Sequence, residues 1–304
     1  MHYHLLRSTR NFPIDEMAIV QSPFFLILFF SLIQAFGSAA HAQARSGVVG
    51  PHESLNAVLW VQTSVEYRAT AMGMYTLAAL KLDEALMDPS WTAALEQLAD
   101  GGYRSLPPAV ILDVDETVLD NSRYQARLIE DGTSFSATSW LPWLEEEAAT
   151  SIPGSLEFIR YAASKGVQII YLTNRDASGE DATRRNLLAL GYPIDPASDT
   201  VLTRGEREEW ARSDKTPRRQ FVSDSYRILL LIGDNYGDFT SESVGTIEER
   251  AASVQNYASY WGHKWIMMPN PLYGSWEAAT IDNNYSASMP EKFELKRSRL
   301  DTYR

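Results

Sequence analysis

The chain of 304 residues contains no cysteine. That excludes disulfides, a thiolate nucleophile, Cys-ligated zinc and a lipid-modified cysteine behind a leader. Histidine is nearly as scarce, with five in all, three of them at His2, His4 and His41. Only His52 and His263 lie beyond residue 42, too few for a multi-histidine metal site, and neither is assigned a role. Positive charge is also short: 27 Lys and Arg face 39 Asp and Glu, for a net charge of −12. An acidic body makes a poor partner for nucleic-acid backbones or anionic membranes, so no nucleic-acid polymer is expected. An anionic substrate would have to be held by local cations. Low-complexity tracts and solenoid-period repeats are missing, and no apolar run is long enough to cross a bilayer comfortably. What these absences leave is oxygen chemistry.

The apolar run Pro23–Ile33 is followed by small residues and by Ala40-His41-Ala42. A short apolar core with an A-x-A site reads as a secretory signal covering 1–42, cleaved after Ala42, with the start at Met1 or Met17 left open. Arg7, Arg10, Asp15 and Glu16 cancel, so the whole net charge belongs to the mature part. The expected product is periplasmic or secreted, with no stable membrane anchor.

Most informative is Ala109-Val-Ile-Leu-Asp113-Val-Asp115-Glu-Thr117. Its β-branched apolar run predicts a buried strand. The strand delivers two carboxylates, two residues apart, at its carboxyl end, where open α/β sheets bind ligands. Like charges this close resist ionising together unless a cation or a shared proton intervenes. A carboxylate nucleophile beside a carboxylic acid, with Mg²⁺ suppressing the repulsion, uses both. A solvated acidic turn is the plainer alternative for a bare D-x-D.

The pattern predicts one long helix over 52–87, ended by Pro89, within a helical region 43–104 that packs on the core. Strands follow at 107–119 (with its loop), 167–172, 200–202, 227–232 and 264–268. They alternate with helices at 156–164, 181–190, 206–222 and 247–261. Such alternation means an α/β fold, a parallel sheet with helices on both faces. The core is expected over 105–280, with an aromatic-rich cap insertion at 121–153 and a solvated helical tail at 281–304. The mixed-charge run 204–219 is read as surface.

Three of these strands end in polar clusters: Asp113-Val-Asp115, Thr173-Asn174-Arg175, and Gly233-Asp234-Asn235-Tyr236-Gly237-Asp238, with Lys215 ahead of the third. In this order the sequence resembles the haloacid dehalogenase superfamily of phosphohydrolases. More narrowly, several segments resemble the bacterial class C acid phosphatases (subfamily IIIB): Glu66–Ala69, Leu112–Ser122 with Tyr124, Leu172–Arg175, Ser213–Lys215, Ile232–Asn235 with Asp238-Phe239, and Met268–Trp276. The resemblance spans about 55–280. It departs in the missing lipidation cysteine and in Gly237, where an acidic residue is frequent.

The resemblance implies a phosphomonoesterase acting on 5′-nucleotides or related esters with one Mg²⁺ per chain. It implies Asp113 as nucleophile and Asp115 as acid and then base. Thr173 and Lys215 would hold the phosphoryl group. Asp113, the Asp115 carbonyl and Asp234 would bind the metal, and Asp238 would orient Lys215 or a water on the metal. Asn174, Tyr124, Trp140 and Tyr273 are the substrate-binding candidates, the last two as aromatic platforms for a base. A homodimer is suggested by the same likeness. Plainer roles compete: Thr173 as a helix cap, Lys215 as a surface lysine, Asp238 as a turn residue, Trp140 as cap packing. Asp120 and Asn121 are read as structural, and Arg175 as either a substrate contact or a surface ion pair. Competing functions are a phosphotransferase or a phosphate-binding relative without catalysis. A phosphonate-cleaving enzyme would need a cap lysine, and 121–153 contains none.

Overall fold

Five strands carry the core of the computed structural model, which describes residues 52–99 and 101–303. The proposed signal segment 1–42 lies outside the described residues. The strands are β1 (Pro108–Leu112), β4 (Gln168–Asp176), β5 (Val201–Arg204), β6 (Arg227–Gly233) and β7 (Trp265–Met267). All neighbours pair in parallel, in the order β5-β4-β1-β6-β7. β1 is thus the central strand, with its loop between the ends of β4 and β6. Two-residue strands β2 (Leu119–Asp120) and β3 (Thr150–Ser151) pair antiparallel and close the base of the cap insertion. That insertion holds α3 (Ser122–Glu130) and α4 (Ala137–Glu145).

The period-2 alternation of the strands sorts the interior into two layers. Val110, Leu112, Ile169 and Tyr171 face one cluster, Ala109, Ile111, Ile170 and Leu172 the other. The described residues form one compact unit. The first layer is roofed by α1 (Leu55–Thr63), α2 (Val65–Met87), α5 (Ser155–Ser164) and α6 (Glu180–Ala189). α2 buries Tyr67, Ala71, Tyr75, Ala78, Leu82 and Ala85. Three alanines in that stripe let the helix approach the core closely. The second layer is covered by 91–97, α7 (Thr216–Ser223) and the turns after α8 (Ile247–Asn256).

Several expectations need correction. The single helix 52–87 is two helices, because Ser64 adopts an extended backbone (φ −80°, ψ 139°) and its hydroxyl accepts from the Tyr67 amide. The stretch 206–222 is helical only as a short 3₁₀ turn, Glu208–Trp210, and as α7. Pro217 fits only the first turn of α7, so the helix begins at Thr216. α8 stops at Asn256, because Tyr257, Tyr260 and Trp261 turn inward onto Trp265. In the tail the helix is α10 (Met289–Ser298), started by a Ser288–Glu291 capping box and preceded by α9 (Ser275–Thr280). Nor is 204–219 all surface, for Lys215, Arg218 and Arg219 are buried.

Candidate active site

The loop after β1 is anchored before any side chain is considered. Asp113 N donates to Ile232 O at 2.9 Å, tying the loop to the end of β6. From α2, Tyr75 OH donates to Thr117 O at 2.6 Å. Glu116 takes a left-handed backbone conformation (φ 56°), uncommon for a residue with a Cβ. Its buried side chain accepts from Asn121 N at 2.9 Å and so closes the turn. Asp120, as expected, is structural: its carboxylate accepts from Ser122 N.

Asp113 is buried and bonded through Oδ1 to Lys215 Nζ. The same ammonium donates to Asp238 Oδ1 at 2.6 Å, while Asp238 Oδ2 accepts from Asn235 N at 2.9 Å. Lys215 is only 3% exposed, which sets aside its reading as a surface lysine. Asp238 lies so close under the strand end that a Cβ at Gly233 would meet its Oδ2 at 2.2 Å. Glycine is required there by the site itself.

Asp234 is partly exposed and accepts from Thr117 Oγ1 at 3.1 Å and Asn270 Nδ2 at 2.7 Å. Carboxylate oxygens of Asp113, Asp234 and Asp238 lie within 4.8 Å of one another. Lys215 alone bridges two of the three. Burial pushes the Asp113 carboxyl up to about 7, with Asp238 and Asp115 adding to the push and Lys215 opposing it. Asp234 is likewise held well above the carboxylate range, by burial first and by Asp113 and Asp238 next. A crowd of carboxylates short of positive charge, with hard oxygen donors only, fits a divalent cation such as Mg²⁺. Asp113, Asp234 and Asp238 all place carboxylate oxygens within reach of such an ion, Asp238 Oδ1 being shared with the Lys215 ammonium.

The Asp115 carboxylate has partners of its own. Arg175 grips it through two nitrogens, Nη2 at 2.7 Å and Nε at 3.0 Å from Oδ1. Asn121 Nδ2 adds a third donor at 2.9 Å. Arg175 is buried, so the pair is not a surface ion pair. Asn121, read as structural, reaches the site directly.

Thr173 is fully buried, and its Oγ1 accepts from Arg175 N at 3.1 Å, within the polar end of β4. Arg218 Nη1 donates to Thr173 O and Nη2 to Asn174 Oδ1. Asn174 Nδ2 donates to Ser213 O at 3.0 Å, so both ends of this substrate-binding candidate are engaged by protein. Arg219 donates to Glu96, to Asp238 O and to Thr216 Oγ1. One turn of α7 therefore pins the ends of β1, β4 and β6 with Lys215, Arg218 and Arg219. Desolvation lowers Arg218 to about 10, so it remains a cation near neutrality.

Among the aromatic candidates, Tyr124 is 3% exposed and its hydroxyl pairs with Ser139 Oγ at 2.8 Å. It lies against Trp140 (ring centroids 4.9 Å) and supports that ring from beneath. Trp140 is half-buried, edged by Phe135 at 5.9 Å and lying over the Arg175 guanidinium at 5.7 Å. Tyr273 is half-buried in the loop after β7, which Asn270 ties to Asp234 and Ser275 to Asn235. His263 rests on the Trp91 ring, away from the carboxylate cluster.

The residues missed in the sequence are Asn121, Thr117, Asn270, Arg218 and Arg219. Thr117 stood inside the D-x-D-x-T motif and was the one with a signal. The others act through partners far along the chain.

A sequence profile described as HAD superfamily, subfamily IIIB (acid phosphatase), matches residues 55–276. The stem 28 kDa glycoprotein of Glycine max is 25% identical over 174 residues, 54% of this chain and 58% of that protein. Acid phosphatase 1 of Solanum lycopersicum is 25% identical over 166 residues, 54% of this chain and 57% of that protein. The match thus spans little more than half the length of these plant relatives. The class C acid phosphatase from Bacillus anthracis superposes with a TM-score of 0.70 and 35% identity, over 83% of this chain and 98% of that one. Its tungstate-bound form gives a TM-score of 0.71 at 33% identity over the same shares. With its profile match, its parallel sheet and its strand-end carboxylates in agreement, the chain belongs to the acid phosphatase family, subfamily IIIB of the HAD superfamily.

Proposed function

We propose that the protein is an exported, Mg²⁺-dependent acid phosphatase that hydrolyses phosphate monoesters, 5′-nucleoside monophosphates among them. The observation that carries this reading is Lys215, buried and shared between Asp113 and Asp238 beside Asp234. A buried ammonium bonded to the central strand's first carboxylate is of no use to a solvated turn. It is useful where a dianionic phosphoryl group must sit against a carboxylate nucleophile.

In the proposed reaction an Asp113 oxygen attacks phosphorus as the bond to the ester oxygen breaks. Asp115 gives its proton to the leaving oxygen. A water then attacks the aspartyl-phosphate, passing a proton to Asp115, and inorganic phosphate leaves with Asp113 restored. Lys215 neutralises charge on the phosphoryl oxygens, and Asp238 holds the ammonium in place. The Thr173 hydroxyl and neighbouring amides hold the remaining oxygens, at a strand end that Arg218 fixes from behind. Asp113, Asp234 and the Asp115 carbonyl would hold a Mg²⁺ ion, which would supply the positive charge this carboxylate cluster lacks. Trp140 and Tyr273 are proposed as base platforms, and a homodimer as the assembly, on family likeness alone.

Nitrophenyl phosphate turnover with Mg²⁺, and after chelation, tests the reading. Activity that falls at least about tenfold on chelation and returns with Mg²⁺ supports it. Phosphate binding without turnover indicates a binding protein, and transfer to an added alcohol in preference to water indicates a phosphotransferase. Melting gives a readout independent of activity. Mg²⁺ at about 100 times its Kd should stabilise the wild type by about 2.7 kcal/mol, and Asp234→Asn should remove most of that gain.

A further inference from the structure

Arg175 makes more contacts with the site than a strand-end residue needs. Its Nε donates to Asp115 Oδ1 at 3.0 Å and Oδ2 at 3.2 Å, and its Nη2 to Oδ1 at 2.7 Å. On its far side Nη1 donates to Thr183 Oγ1 at 2.9 Å, and Thr183 donates in turn to Gly179 O at 2.8 Å. Trp140 covers the guanidinium at 5.7 Å. Asn121 Nδ2 adds its donor to Asp115 Oδ1 at 2.9 Å, while Trp143 Nε1 holds Asn121 Oδ1 at 2.9 Å. Every group that touches the carboxylate is therefore itself held in place by another residue.

The two oxygens of Asp115 are not equivalent in this network. Oδ1 accepts three N–H donors, whereas Oδ2 shares only the longer bond from Nε. An oxygen surrounded by three donors has no lone pair to spare for a proton. A proton on Asp115 therefore resides on Oδ2. Without such a network the carboxyl torsion is broad and nearly two-fold, and the proton could point either way.

We propose that Arg175, assisted by Asn121, is a positioning residue that makes Oδ2 of Asp115 the proton-carrying oxygen for the leaving group. The inference rests on the acid role given to Asp115 above. As the bond from phosphorus to the ester oxygen breaks, that oxygen takes the electron pair and the proton from Oδ2. Arg175 stays protonated throughout and stabilises the carboxylate left behind. The same Oδ2 then accepts a proton from the hydrolytic water. Lysine cannot reproduce the planar two-nitrogen grip.

The test compares kcat/KM for nitrophenyl phosphate and glycerol phosphate in wild type, Arg175→Lys, Arg175→Met and Asn121→Ser, with inhibition by inorganic phosphate measured alongside. kcat/KM reports the first phosphoryl transfer, where the alkyl leaving group needs a proton and nitrophenolate hardly does. Removing the positioning residue should lower kcat/KM for glycerol phosphate about ten- to a hundredfold more than for nitrophenyl phosphate. Arg175→Lys should recover part of that difference, and Asn121→Ser should show a smaller loss in the same direction. The phosphate inhibition constant should stay within about threefold, since the oxygens of the phosphoryl cradle are untouched. Equal losses on the two esters, with that constant unchanged, would overturn the proposal. If Arg175→Met does not fold, Asn121→Ser decides by the same comparison. A wild type that hydrolyses neither ester would refute the phosphatase reading instead.

Discussion

At Asp113 two demands conflict. A nucleophile must be ionised, yet burial and two neighbouring carboxylates push this carboxyl up to about 7. Lys215 offsets part of that, and a divalent cation would offset the rest. Asp113→Asn removes both the attacking oxygen and one of the repelling charges. Turnover should fall below about one per cent of wild type, because an amide does not attack phosphorus. The fold should survive, with a melting temperature in the absence of metal no lower than that of the wild type. A well-folded variant with more residual activity would contradict the nucleophile assignment. Asp113, Asp115, Thr173, Lys215, Asp234 and Asp238 were legible in the sequence because each is a polar residue closing an apolar strand, or a lysine in the expected order. Arg218 and Arg219 were not, because a buried arginine looks like a surface one until its acceptors from β4 and β6 are known. Asn121 was legible as a turn residue only, since the Trp143 indole that holds its carbonyl comes from the cap helix α4.

Among the elements, apolar periodicity located every core strand to within a few residues, but helix limits followed local chemistry. Ser64, with Glu66 two residues on, is a cap signal hidden inside an otherwise helical pattern. Pro217 likewise starts α7 where charge patterning alone suggested a longer helix. Between β5 and α6, Glu206 accepts from Thr203 N, while Arg184 pairs with Glu180 and Asp199. Burial first, and the Asp199 and Glu180 carboxylates next, push Glu206 from 4.5 up to about 7. A raised carboxyl means that the folded state binds the proton more tightly, so stability declines as pH rises between those two values. Gln stands in for the protonated form. Glu206→Gln should therefore raise the melting temperature above pH 7 and change it little below 4.5. An equal shift at both ends would contradict this. In the loop after β7, Tyr273→Ala should raise KM for a 5′-nucleoside monophosphate about tenfold and leave glycerol phosphate nearly unchanged, if base stacking holds. Trp140→Ala is a compound change, because Trp140 also lies over Arg175 and should affect glycerol phosphate through Asp115. Parallel losses in Tyr273→Ala would make that residue structural.

For the molecule as a whole, the order β5-β4-β1-β6-β7 explains why three strand ends distant in sequence form one site. The chain leaves β1 for one side of the sheet and later returns to the other, and ligands bind at such a reversal. Strand alternation in the sequence shows a parallel sheet, but not which strand is central, since order depends on how each crossover packs. The surrounding charge is set on the same scale. The net charge of −12 falls entirely beyond residue 42, so a phosphate ester would meet an acidic body whose buried cations are concentrated at the strand ends. From the apolar core 23–33 and the Ala40-His41-Ala42 site we expect the exported protein to begin at Gln43. Expression of the full chain, separation of periplasm from membranes, and mass measurement of the amino-terminal peptide test this. A soluble periplasmic species starting at Gln43 is the expected result. A species that still carries residues 17–42 and sediments with membranes would instead mean that the apolar segment is an uncleaved anchor, and that the phosphatase acts at the membrane surface.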